Sequence, residues 1–368
     1  MLDTEVSENQ LKSISMMSPP LKRAAYSDRT AWLMSLLSEL AYVHFEGEHN
    51  LYLDLAQQFA RLNDKKVIAA RIAQLATELR NSKEDSNQKE KLRSVLKAGD
   101  FELIGVFNNA ATDTQGYVAI REGKDEETAM AVVAFRGTED INDWKRDANA
   151  ELVGVALPND PEKKIVGKLH KGFNEGFLSV KTDIEKLLSE HKNVPVYLTG
   201  HSLGGALATV ATWHIAGQHL AACYTFGAPR AGNFELAQHI RTPIYRAVNA
   251  NDPVPFLPPS GGTISILKTV TRALGSLFLS GFFNILTQQL IKVQGYQHYG
   301  DIRYIKRRKN STDSVVIIPS VGALERFLRF IANTYKNPWK DVSGSPKDHA
   351  IGEYREKLHC YTEQRQPK

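Results

Sequence analysis

Cysteine is almost missing from this 368-residue chain, which holds only Cys223 and Cys360. Two cysteines make no disulfide framework, and no C-x-x-C pair or zinc-ligand spacing occurs. The first residues lack an apolar core. MLDTEVSENQLKSISMMSPPLKR is polar, which excludes a secretory signal of ordinary form. The expectation is a disordered tail over 1–27 and a cytoplasmic protein by default, or one exported without a cleaved signal. No compact Lys/Arg stripe with interleaved aromatics is present, so nucleic acid is not an expected partner. The net charge of +5 suits contact with an anionic membrane surface. Internal repeats and low-complexity tracts are also absent. What remains is an ordinary globular composition, 42% hydrophobic and 24% charged. The length accommodates one large α/β domain with additions, or two domains.

From Asp28 to about Gly99 the pattern is helical. Trp32, Leu33, Leu36, Leu37, Leu40 and Ala41 recur at helical spacing behind the capping candidate Asp28. Leu51, Leu55, Phe59 and Leu62 make a second run, and Ile68, Ile72, Leu75 and Leu79 a third. Asn81 to Lys91 reads as a loop leading into a short charged helix. Strand signals then begin: FELIGVFN, TQGYVAIRE, AMAVVAFRG, CYTFGAPR, IYRAV, IRYI and SVVIIP are β-rich runs between turn residues. Helices are expected at Glu175 to His191, Val321 to Tyr335 and Asp348 to Tyr361. Strands alternating with helices predict an α/β fold: a mostly parallel central sheet flanked by helices on both faces. The division expected is a helical region over 28–100 and a catalytic domain over 101–368.

The chemistry concentrates at Val194 to Ala208, VPVYLTGHSLGGALA. A β-branched run leads into Gly200-His201-Ser202-Leu203-Gly204, and a helix-forming segment follows. This is the strand–turn–helix context of a G-x-S-x-G nucleophile elbow, where the serine sits on a strained turn and the flanking glycines let strand and helix approach. Gly205, Ala206 and Ala208 keep the helix thin against the sheet. The helix N-terminus aims N–H groups at the place where an oxyanion forms, and the Leu203 N–H is one such donor. His201 reads as structural, its side chain directed away from Ser202.

Serine needs a base, and the base needs an acid that fixes its tautomer. Asp252, in the loop after IYRAV, is placed as such an acid. Two histidines downstream compete for the base: His298 in GYQHYGDIRYI and His349 in SPKDHAIGEYREKL. The residues alone leave that choice open. His214, His219, His239 and His359 read as inert. Between Ala273 and Ile291 lies an uncharged apolar stretch, part of an insertion at about 262–293. A single membrane span there would put Asp252 and the later histidines on opposite sides of a bilayer. The expectation is therefore a lid or a membrane-docking helix pair, with a break near Gly281.

Six blocks in order resemble the class 3 lipases, the fungal-lipase-like branch of the α/β-hydrolases. VVAFRGTEDINDWKRD resembles that family's F-R-G-[ST] strand and D-W-x-x-D, and KLHKGFNEGF its V-H-x-G-F segment. GHSLGGALATVAT, YTFGAPRAGN, NDPVPFLPP and YQHYGDIRYI follow. The similarity covers about 101–361, apart from the insertion. It implies a triad of Ser202, Asp252 and His349, because the family's base lies near the C-terminus in a D-H-x-x-x-Y-like context, here Asp348, His349 and Tyr354. His298 is then the runner-up. The resemblance also puts Thr138 beside Leu203 as the second oxyanion donor, and gives Asp143, Trp144 and Asp147 scaffold or lid-hinge roles. It implies no metal and no organic cofactor. The expected reaction is hydrolysis of lipid esters, of triacylglycerol lipase or phospholipase A1 type. The apolar insertion, flanked by Lys268, Arg272 and Lys292, and the stretch of Leu324, Phe327, Leu328 and Ile331 point to peripheral contact with a lipid interface. A feruloyl-type or other non-lipid carboxylesterase is one alternative, and a lipase-like binding or signalling scaffold another.

Overall fold

In a computed structural model of the chain, the residues described are 8–13, 25–42, 83–122, 129–137, 151–158, 160–215, 219–250, 252–258, 295–307, 314–322, 325 and 346–365. The second and third helical runs, Thr138, Asp143, Trp144, Asp147, the apolar insertion and most of the helix expected at 321–335 lie outside them.

Eight strands make the central sheet: β1 (Glu102–Asn109), β2 (Thr114–Arg121), β3 (Met130–Phe135), β6 (Val196–His201), β7 (Leu220–Phe226), β9 (Ile244–Asn249), β11 (Asp301–Arg307) and β12 (Val315–Pro319), side by side in that order. The five from β3 to β11 run parallel, while β1, β2 and β12 pair antiparallel at the edges. Period-two alternation divides the core between the faces. On β3, Met130, Val132 and Ala134 enter one apolar cluster, and Ala131, Val133 and Phe135 enter the other. Helices Lys171–Leu188 and Leu203–His214 pack in the second cluster, through residues such as Phe177 and Val210. The first is covered by helices Asp28–Leu40 and Ile351–Gln364, which contribute Trp32, Leu36, Tyr354 and Leu358. The expected fold, with both faces covered, is thus observed.

Several local expectations are corrected. The cap of helix Asp28–Leu40 is Ser27, whose side chain accepts from the Thr30 N–H at 3.3 Å, and Asp28 occupies the first helical position. The polar stretch read as a loop belongs to helix Lys83–Ala98. Leu92, Val95 and Leu96, at i, i+3, i+4 spacing, bury its one apolar edge in the first cluster. The helices described within 28–100 therefore share the sheet's core. Inside the stretch read as a tail, residues 8–13 are helical, because Leu11 finds a place in that same cluster.

A second sheet, β10–β8–β5–β4, had no clear sequence signal. Strands β4 (Leu152–Ala156) and β5 (Ile165–His170) are short and half-exposed, and β8 (Gly232–Asn233) and β10 (Tyr296–Gln297) are too short for any periodicity. At the end of β5, His170 caps helix Lys171–Leu188, its Nδ1 accepting from the Phe173 N–H at 3.3 Å.

Burial lowers the pKa of His170 to about 4, and burial, then the Lys181 charge, lowers that of His214 to about 4. A histidine depressed in this way stabilises the fold fully above its unfolded pKa of about 6.5. That stability is lost as pH falls toward 4, because the unfolded chain takes up the proton first. Urea unfolding should therefore show stability declining below pH 6.5, by up to roughly 1.4 kcal/mol per pH unit for each such histidine. His170→Asn keeps a capping side chain and should remove about one proton's worth of that slope. An unchanged slope between pH 6.5 and 4.5 would count against this assignment.

Candidate active site

Strand β6 stops at His201, and helix Leu203–His214 starts one residue beyond Ser202. So abrupt a reversal puts Ser202 at φ 55° and ψ −127°, a strained conformation for a residue with a side chain. It is possible because strand and helix touch backbone to backbone. A Cβ on Gly200 would lie 2.3 Å from the carbonyl carbon and oxygen of Gly204. The Ser202 N–H still donates to Phe226 O at 2.9 Å, which ties the elbow to β7. Leu203 opens the helix, where N–H groups have no intrahelical acceptor and point toward the serine side.

Asp252 lies in the loop after β9 and is fully buried. Its Oδ1 accepts from the Val254 N–H at 2.9 Å, and its Oδ2 accepts from Tyr354 Oη at 2.5 Å. Buried Arg230 clasps the same loop, donating to the carbonyls of Phe256 and Pro258 at 2.5 Å each. His349 ends the short helix Pro346–His349, with Nδ1 2.8 Å from Asp252 Oδ2 and Nε2 2.9 Å from Ser202 Oγ. A carboxylate only accepts, so Nδ1 carries the hydrogen and the Nε2 lone pair faces the serine hydroxyl. The structure thus brings Ser202, Asp252 and His349 together. His298 is elsewhere: its Nε2–H donates to Pro255 O at 2.7 Å, on the far part of the Asp252 loop.

A second tier fixes the histidine. His201 Nε2 lies 2.6 Å from the backbone oxygen of His349, so it must be the donor there, and Nδ1 accepts from Tyr42 Oη at 2.7 Å. Burial, then the neighbouring His349, drives the His201 pKa well below 6.5, which keeps this ring neutral. Asn249 donates through Nδ2 to Asp348 O at 2.8 Å and accepts from buried Lys357 Nζ at 2.8 Å. Burial first, and the Asp252 charge second, raise the Tyr354 pKa well above 10, so its hydroxyl keeps its proton and donates. The reading of His201 as structural was incomplete: its ring turns away from the serine hydroxyl and holds the histidine's backbone. Arg230, Asn249 and Lys357 were missed. Arg230 stands in the YTFGAPRAGN block, but nothing in the residues marks a lysine or asparagine as buried.

A serine on a strand–helix elbow of a mostly parallel sheet, with an acid beyond a later strand and a histidine nearer the C-terminus, is the arrangement of an α/β-hydrolase. Residues 132–262 match the model of the lipase (class 3) family. Over 159 residues the chain is 33% identical to secreted mono- and diacylglycerol lipase A of Penicillium cyclopium, covering 41% of this chain and 49% of that one. It is 29% identical over 212 residues to a triacylglycerol lipase of Arabidopsis thaliana, covering 43% of this chain and 39% of the relative. The chain thus spans about half the length, or less, of these curated relatives. Among solved structures, lipase II from Rhizopus niveus is 22% identical, with a TM-score of 0.46 over 70% of this chain and 82% of that one.

Gly227, with φ +60°, follows β7 directly beneath the acid: a Cβ there would lie 2.6 Å from Asp252 Oδ2 and 3.2 Å from His349 Cε1. Gly227→Ala should displace this pair by a fraction of an ångström in a folded protein. Reactivity of Ser202 toward an activated ester should fall roughly a hundredfold while the circular dichroism spectrum is retained. Full activity in the variant would mean that the pair tolerates the shift.

Proposed function

We propose that the protein is a serine ester hydrolase acting on lipid esters. The observation that carries this reading is the hydrogen-bonded line from Asp252 Oδ2 through His349 to Ser202 Oγ, at 2.8 and 2.9 Å. As a substrate ester carbonyl approaches, Ser202 Oγ attacks its carbon and the hydroxyl proton passes to His349 Nε2. Asp252 holds the resulting imidazolium through Nδ1–H without taking the proton. The tetrahedral oxyanion is held by the Leu203 N–H and by Thr138, the second donor in this scheme. His349 then gives its proton to the leaving alcohol, which departs and leaves an acyl group on Ser202. A water, deprotonated by the same histidine, releases the acid and regenerates the enzyme.

Relatives named as mono- and diacylglycerol lipase and triacylglycerol lipase support acylglycerols as the substrate class, and phospholipase A1 activity is the second member of the panel to test. The apolar Ala273–Ile291 stretch supports work at a lipid–water interface.

Assays on emulsified long-chain acylglycerol, phospholipid vesicles, feruloyl esters and soluble short-chain esters discriminate the readings. Wild type should release fatty acid from the acylglycerol, and Ser202→Ala and His349→Ala should each fall by at least about a thousandfold. His298→Ala should retain most activity. Equal turnover by wild type and Ser202→Ala would reject the hydrolase. Activity confined to soluble or feruloyl esters would reject the lipid substrate. A pattern in which His298→Ala is dead and His349→Ala active would reverse the choice of base.

A further inference from the structure

A cavity of about 570 Å³ opens where the first residues of helix Asp28–Leu40, the last turn of helix Ile351–Gln364 and the outer strands β11 and β12 converge. It shares no lining residue with the Ser202 site. Arg29, Arg303 and Arg365 line it, and Asp28 supplies the one carboxylate among its described lining residues. Arg365 pairs with Asp28 at 2.8 Å. Arg303 lies over the Tyr26 ring, 4.2 Å from its centroid, and 5.5 Å from that of Tyr245. Among the described residues it has no carboxylate within ion-pair distance. Its Nη1 also donates to the Ile302 carbonyl at 3.1 Å, and a guanidinium held in this way keeps its remaining N–H donors oriented, which suits a doubly charged oxyanion.

The aliphatic lining is only Ile317 and Pro319, too little to house an acyl chain, whereas the volume exceeds that of an inorganic ion. We propose that this cavity binds a phosphate-bearing ligand, with the phosphoryl group among Arg29, Arg303 and Arg365 and the rest of a polar head against Tyr26 and Tyr361. The source is either the headgroup of an anionic lipid or a soluble organic phosphate. Such a ligand joins two helices that also serve the Ser202 site. The C-terminal one places Tyr354 on Asp252, and the N-terminal one leads into Tyr42 on His201. Glu39 and Arg355 pair across the two, 2.5 Å apart.

The test is binding to the full chain, independent of hydrolysis. Inorganic phosphate and glycerol 3-phosphate are titrated calorimetrically, and vesicles of phosphatidylcholine with and without phosphatidate are used for co-sedimentation. The variants are Arg303→Gln, Arg365→Gln and Asp28→Asn. Saturable binding of a soluble phosphate identifies the free ligand, and binding only to phosphatidate vesicles identifies the headgroup. In either case Arg303→Gln should weaken binding ~tenfold or more, and Asp28→Asn, which releases Arg365, should tighten it. That opposite sign cannot come from misfolding, and exposed Arg365 gives a second weakening variant if Arg303→Gln does not fold. Absence of binding to every probe overturns the proposal, as does binding that none of the three substitutions changes.

Discussion

The backbone contact between Gly200 and Gly204 is the constraint on which the site depends. Strand β6 and the helix after Ser202 must turn within one residue, and any Cβ at Gly200 would collide with the Gly204 carbonyl group. The turn holds Ser202 at φ 55°, at a cost of roughly 1–3 kcal/mol. That strain is sustained by what lies on either side. Tyr197 and Leu198 of β6 are fully buried on opposite faces of the sheet, and Leu207 and Val210 anchor the helix in the second core cluster. The elbow is thus fixed by the same parallel core that determines where the loops after β7 and β9 emerge.

The loop after β9 delivers Asp252, the short helix Pro346–His349 delivers the histidine, and the two helices over the first face hold them there. Helix Ile351–Gln364 follows His349 closely and returns Tyr354 and Lys357 into the site. Tyr354 bonds Asp252 and accepts from the Asn249 N–H at 3.0 Å, and Lys357 reaches the Asn249 side chain. Helix Asp28–Leu40 backs the elbow strand, with Ser38 Oγ 2.8 Å from Thr199 Oγ1. Among the described residues, Asp252, Asn249, Tyr354 and Lys357 around His349 are therefore tied to one another. Low dielectric makes such a network rigid when satisfied and costly when broken.

The parallel core was legible in the sequence because buried strands read as short apolar runs, and the elbow because its glycines have a steric reason. The order Ser202, Asp252, His349 could be read from the blocks, yet residue chemistry alone did not separate His349 from His298. Both follow strands and carry polar neighbours, and only the packing of the C-terminal helix decides which ring faces the serine. The small second sheet escaped notice because two-residue strands have no period. His201 was half read: its place before the serine was plain, but its bond to the His349 backbone depends on a loop 148 positions away. The first half of helix Lys83–Ala98 was read as a loop, since three apolar residues near its C-terminal end are a weak signal beside eight charged ones.

The central claim is that the strained Ser202 is a nucleophile activated by His349. An alkylphosphonate ester carrying a nitrophenyl leaving group tests it most directly, with peptide mass mapping of the labelled protein. The account predicts one adduct per chain, on the peptide containing Ser202, formed rapidly by wild type and at least about a thousandfold more slowly by His349→Ala. Labelling at another residue, or equal labelling of Ser202 with and without His349, would contradict it.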